Sequence, residues 1–172
     1  MEYHVGMLLG ITAGILAGLG LVAWLFKKKV LDMHFDERQE LARGKAFQYG
    51  FFTLLGCLYA YALSDVMFGR WCDVLTGVTL CMAVGMLVFA VTCILKDAYL
   101  SLRERPRHIM TMFALLSAIN LGFGGVYHVS GELVEDGVLT FRAINPICGV
   151  TTLIILIVYI VNRLLRERGE AE

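Results

Sequence analysis

Residues Val74 to Leu95 read VLTGVTLCMAVGMLVFAVTCIL, twenty-two residues without a charged side chain. As a helix rising about 1.5 Å per residue, this run is about 33 Å long, enough to cross the roughly 30 Å hydrocarbon core of a bilayer. Working outward, the same ruler finds a run on each side, about 46–68 and 109–127, and two more near the ends, about 5–26 and 146–161. All five are free of Lys and Arg, and only Asp65, near the far end of the second, carries a charge. The expected fold is therefore all-α, a polytopic membrane bundle of five transmembrane helices forming one domain over residues 1–172.

Composition supports that class. Hydrophobic residues make up 58% of the 172 and charged residues 17%, more apolar surface than a water-soluble domain of this length can hide. Fifteen basic residues balance fifteen acidic ones, so no net charge points to nucleic acid. Their distribution is uneven: thirteen of the fifteen Lys and Arg fall in the segments 27–45, 96–108 and 163–168, leaving Arg70 and Arg142 in the alternate loops. Because short basic loops stay in the cytoplasm, the N-terminus is expected outside and the C-terminus inside. The first run, which follows Met1-Glu2-Tyr3-His4 and ends at three lysines, reads as a retained helix rather than a cleaved signal. Trp24 and Phe26 on the inner side, and Phe68, Trp71 and Tyr127 on the outer, suit the headgroup level.

Local signals set the helix ends. Asp36 followed three residues later by Gln39 has the form of a capping box, so the second helix is expected to start near Glu37 and project about two turns below the membrane. Pro106 is placed to open the fourth helix, and Asn145-Pro146 to cap and open the fifth. Between these two, Val134-Glu135-Asp136-Gly137-Val138 sets an Asp-Gly pair between apolar residues, a hairpin signal, in the longest outer loop.

The segment Asp36-Glu37-Arg38-Gln39, with Arg43-Gly44-Lys45-Ala46-Phe47, Tyr49 and Phe51-Phe52-Thr53, resembles a pattern that recurs in small, uncharacterised multi-spanning membrane proteins of Gram-positive bacteria. The resemblance covers about twenty of the 172 residues. It implies a bacterial cytoplasmic membrane location and a helix-turn-helix regulator encoded nearby, and it implies no activity.

Few residues carry chemistry. His128 and Glu132, four apart, are the candidate metal pair, with Glu135 and Asp136 as further oxygens, but Ser130-Gly131 interrupts the helix on which that spacing depends. A hydrated acidic loop is the better reading. The five cysteines have no Cys-x-x-Cys spacing and read as small apolar residues; a Cys72–Cys148 disulfide is conceivable but unsupported by spacing. Nucleotide-binding, nucleophile-elbow and zinc-protease motifs are absent, so no catalytic, cofactor or metal site is assigned. Asn120, with Ser117 one turn before it, is the main polar feature inside a span and is expected to hydrogen-bond a neighbouring helix. Gly6, Gly10, Gly14 and Gly18 recur every four residues through the first span, and Ala114, Ala118 and Gly122 repeat that spacing in the fourth. Such stripes let helix backbones approach closely, so the first-span stripe is expected to be a packing interface, with the fourth span as its partner within the monomer and a second copy or another protein as the alternative.

The functional expectation is a non-catalytic accessory, sensory or immunity-type subunit whose helices contact another membrane protein or a second copy. A small-solute transporter or channel lined by Asn120, Ser117 and Thr12 is the rival, and an outer-face enzyme using His128, Glu132, Glu135 and Asp136 is the third. Membrane-centred acidic or basic groups, usual in ion-coupled transport, are missing apart from Asp65.

Overall fold

A computed structural model describes residues 35–100 and 106–169, together with Thr12, Leu16, Leu19, Gly20, Ala23, Trp24 and Lys27, which are helical. The chain divides into two units, Met1–His34 with Ser101–Glu104, and Phe35–Leu100 with Arg105–Glu172. The second unit holds four helices, α1 (Glu37–Phe68), α2 (Val74–Leu95), α3 (Pro106–Val129) and α4 (Ile144–Gly169), and a hairpin of β1 (Val134–Glu135) and β2 (Val138–Leu139). All four helices are long and apolar enough to cross a membrane. They correspond to the second to fifth expected spans; the first, with Gly6, Gly10, Gly14 and Gly18, lies outside the described residues apart from six of the positions named, Thr12 to Trp24.

The helix ends follow local chemistry. At the start of α1, Asp36 Oδ1 accepts from the Gln39 backbone N–H at 2.6 Å, and Gln39 Oε1 accepts from the Asp36 N–H at 3.3 Å, which is the reciprocal capping box. The helix α2 covers the quoted run residue for residue, and α3 opens at Pro106 as expected. The start of α4 corrects the sequence reading. Asn145 is not the cap: a 3-10 turn, Phe141–Ala143, runs directly into the helix, and Thr140 caps that turn by accepting from the Arg142 N–H. Pro146 then lies in the first turn of α4, where its missing N–H removes no helical bond.

Helix α1 packs on α2, α2 on α4, and α4 on α3. The spatial order is thus α1, α2, α4, α3. Burial is inverted relative to a water-soluble bundle. Inside lie small or polar residues such as Ala46, Thr76, Cys81, Ala90, Cys93 and Ser117, with Ile94 and Ile155 as the large buried side chains. Outside lie Val66 at 84% exposure and Phe68 at 79%, with Phe47, Phe52, Tyr59 and Met86 also exposed. Small residues between helices and large apolar ones facing out are what packing in lipid selects, because there the drive is close contact rather than removal of apolar surface from water.

Glycines lie where α1 meets α2 and where α3 meets α4. A Cβ added to Gly50 would fall 2.9 Å from the Gly85 carbonyl oxygen, and one added to Gly85 would fall 3.0 Å from the Gly50 oxygen, so α1 and α2 meet backbone to backbone. Between α3 and α4, a Cβ on Gly149 would fall 2.8 Å from Leu121 Cγ, and one on Gly124 2.9 Å from Pro146 Cβ. The face that α3 turns to α4 therefore carries Ser117, Leu121 and Gly124. Ala114, Ala118 and Gly122 lie about 100° round the helix from that face and are exposed, with nothing within 4 Å of a Cβ at Gly122.

Candidate functional site

The polar chemistry of the described residues is gathered at the two ends of the bundle. At one end the chain leaves α2 through a turn that combines two hydrogen bonds, Asp97 N–H to Ile94 O at 3.2 Å and Ala98 N–H to Cys93 O at 2.8 Å. This is a Schellman ending with Asp97 in the left-handed position, at φ 54°. A turn of this kind leaves carbonyls pointing outward, and side chains from both neighbouring helices collect them. From α1, Gln39 Nε2 donates to Asp97 O at 2.7 Å and Leu100 O at 3.4 Å, and Arg43 Nη1 donates to Ala98 O at 3.0 Å. From α4, Asn162 Nδ2 donates to Ile94 O at 3.2 Å, and Arg166 pairs with the Asp97 carboxylate. Gln39 is only 6% exposed, so its two roles, cap and clasp, are both made away from water.

Arg43 is held from both sides. Its guanidinium lies 4.1 Å from the centroid of Phe35 and 5.7 Å from that of Phe89, within cation–π range of both rings. On the next turns of α4, Arg163 Nε donates to Glu167 Oε1 at 2.8 Å, and this hydrogen bond holds the guanidinium above its ordinary pKa.

At the opposite end the hairpin forms at the expected Asp-Gly pair. Asp136 and Gly137 both have positive φ, 51° and 78°, the geometry of a two-residue turn matched to strand twist. Val134 faces Leu139 and Glu135 faces Val138. The hairpin docks on the α1–α2 loop through Leu139, whose N–H donates to Trp71 O at 2.9 Å and whose carbonyl accepts from the Asp73 N–H at 2.8 Å. Asp73 Oδ1 accepts from Arg70 at 2.5 Å and Oδ2 accepts from the Phe141 N–H at 3.2 Å. Beneath, the fully buried Thr76 donates to Thr140 O at 2.9 Å, and Thr140 Oγ1 donates to Glu132 O at 2.7 Å. A hairpin too short to stand alone is thus held by the helix ends.

This geometry redistributes the expected site residues. The Glu132 carboxylate pairs with Arg142, while His128 is exposed on the last turn of α3. Gly131, at φ 73°, breaks the helix between His128 and Glu132. Among the described residues no three His, Cys, Asp or Glu side chains are grouped to hold a metal. Cys72 is buried under the hairpin and Cys148 is half-buried, both as free thiols, so the disulfide is not formed.

Within the spans Ser117 and Asn120 separate. Ser117, buried, donates across the interface to Gly149 O at 3.0 Å. Asn120 instead donates to Leu116 O of its own helix at 2.8 Å. The interhelical bond expected of the pair belongs to the serine. Thr12 is helical, and Gly6, Gly10, Gly14 and Gly18 lie outside the described residues, so their pairing with Ala114, Ala118 and Gly122 remains an expectation.

The described helices also leave apolar clefts. One of about 220 Å³ lies between α1 and α2, lined by Phe47, Gly50, Phe51, Leu54, Met82, Gly85, Met86 and Phe89. Another of about 380 Å³ lies between α2 and α4, with Leu80, Leu87, Pro146, Val150 and Ile154 in its walls. Neither wall includes Ser117 or Asn120. Sequence reasoning missed the clasp, although Gln39 and Arg43, four apart on one helix face, stood in the segment singled out for its resemblance. No protein-family model, curated protein or solved structure matches the chain.

Proposed function

We propose that this chain is a five-span protein of the bacterial cytoplasmic membrane, N-terminus outside and C-terminus inside, that works without catalysis by contacting another membrane protein through its helices. The observation that carries the reading is the exposed small-residue face of α3. Ala114, Ala118 and Gly122 lie four residues apart on a helix whose other face is already packed on α4. In lipid such a face offers little by itself, but it allows a second backbone to approach closely. The glycine stripe of the first span is one candidate to cover it from within the chain, and a partner's helix is the other.

The orientation draws on the same unit. Gln39, Arg43, Asp97 and Arg166 meet at one end, so the helix ends rich in Lys and Arg lie together, while Arg70 and Arg142 belong to the hairpin end. Retention of basic segments in the cytoplasm makes the first end the inner one. Gln39, Asn162, Asp73 and Thr76 each bond a helix end or the hairpin, which favours a scaffold over a reaction centre.

Crosslinking in native membranes followed by affinity capture tests the partner reading. The expected result is one membrane protein captured at near-equal amount, lost in an Ala118→Phe variant that still purifies as a folded monomer. Capture of the chain alone, as monomer and with the same yield in both forms, would overturn it.

A further inference from the structure

The cleft between α1 and α2 has a cation at one end. Phe47, Gly50 and Leu54 lie on one face of α1, and Arg43, four residues before Phe47, continues that face toward the clasp. The Arg43 guanidinium is 5.7 Å from the ring of Phe89, which itself lines the cleft, so apolar wall and charge adjoin. Arg43 is half-buried, and among the described residues no carboxylate pairs with it. One of its five N–H groups is engaged by Ala98 O, leaving the others for an anion. Lys96, exposed and seven residues beyond Phe89, adds a second cation at this end. With the second span expected to start at Ala46, Arg43 stands about 4.5 Å outside the hydrocarbon edge, at headgroup level.

The rim decides between an acyl chain and a helix as occupant. A helix is seated by small residues at the contact, but the small residues here, Gly50 and Gly85, form the floor, where they already touch each other. The rim is Phe47, Phe51, Met82 and Met86, large and in part adaptable side chains that suit a flexible chain. Basic groups at the membrane end of a cleft between helices are the setting in which anionic headgroups bind.

We propose that the α1–α2 cleft binds one anionic phospholipid, its acyl chain lying over the Gly50–Gly85 crossing and its phosphate meeting Arg43. The proposal rests on the membrane placement above, but not on the partner reading. A reversed orientation would only move the lipid to the other leaflet.

The full chain, reconstituted in an equal mixture of phosphatidylglycerol and phosphatidylcholine and extracted into mild detergent, is examined by native mass spectrometry. Wild type is expected to retain one phosphatidylglycerol in preference to phosphatidylcholine. Met86→Trp, which fills the cleft from an exposed rim position, is expected to lose both lipids with an unchanged melting temperature; Met82→Trp serves if that variant misfolds. Arg43→Gln is expected to keep the acyl-chain site but lose about fivefold in preference for the anionic lipid, the worth of one surface cation; Arg43→Lys is expected to keep most of it. Equal retention of the two lipids by wild type, or undiminished retention by a folded cleft-filling variant, would overturn the proposal. So would a wild-type dimer that Met86→Trp dissociates, which would assign the cleft to a second copy of the chain.

Discussion

Gly85→Leu is expected to separate α1 from α2 and to cost about 3 kcal/mol or more, the upper range for forcing a side chain into a filled contact. A Cβ at this position would already stand 3.0 Å from both the Gly50 carbonyl oxygen and Leu54 Cβ, the first of which is backbone and cannot turn aside. Gly50→Leu meets the same obstacle from the other helix, with Phe89 Cβ at 3.1 Å as well. The control is Gly56→Leu on α1, where nothing lies within 4 Å and the side chain would face outward. There the change removes a glycine from a helix interior, so a neutral or slightly stabilising effect is expected. Thermal unfolding in detergent, followed by loss of monodisperse protein, checks all three. Equal melting temperatures for Gly85→Leu and Gly56→Leu would show that the helices do not cross at these glycines.

The second large effect belongs to Gln39, which is the last residue of the capping box and also a donor to the α2 turn. The two roles predict opposite outcomes for Gln39→Glu. Glu suits the third position of a capping box as well as Gln does, and near a helix N-terminus its charge is favourable. Yet it would replace the Nε2 donor by a carboxylate oxygen facing the Asp97 and Leu100 carbonyls. At a site only 6% exposed, acceptors left without a donor cost about 1–3 kcal/mol. Gln39→Glu is therefore expected to destabilise at least as much as Gln39→Ala. Urea or thermal melts of both variants in the same detergent decide it: a Glu variant close to wild type would reduce Gln39 to a cap and remove the clasp from the account.

How much of this was legible in the sequence differs by kind of interaction. The apolar runs gave four helices because length and absence of charge are themselves the physical requirement for a span, and α2 matches its run residue for residue. The capping box and the Asp-Gly turn were readable because the groups involved lie within three or four residues of one another. The start of α4 was misread because Asn145-Pro146 has the chemistry of a cap, while Thr140, tied to Thr76 and Glu132 by long-range bonds, holds the chain so that helical turns begin five residues earlier.

Packing surfaces were less legible. Ala114, Ala118 and Gly122 satisfy the small-residue spacing, yet α4 meets the face bearing Ser117, Leu121 and Gly124. Spacing identifies a face able to pack but not the partner that arrives. The Gly50–Gly85 crossing does carry that spacing, Ala46 and Gly50 in α1 and Gly77, Cys81 and Gly85 in α2, all buried, but these small residues do not stand out among the larger apolar ones of their runs. The clasp was hidden for a different reason: Gln39 and Arg43 act on carbonyls almost sixty residues away, and backbone acceptors leave no trace in side-chain patterns. Ser130-Gly131 already argued in the sequence against pairing His128 with Glu132; the structure adds Gly131 in the left-handed region and Arg142 beside the Glu132 carboxylate.

The central claim, a membrane-spanning bundle with the clasp end in the cytoplasm and the hairpin end outside, is tested most directly by site-specific labelling. In a background lacking the five native cysteines, Glu135→Cys on the hairpin and Glu40→Cys on the first turn of α1, both exposed positions, are treated in intact cells with a membrane-impermeant thiol reagent. The account predicts that Glu135→Cys reacts at once and that Glu40→Cys reacts only after the membrane is permeabilised. Reaction of Glu40→Cys in intact cells, with Glu135→Cys protected until permeabilisation, would contradict it.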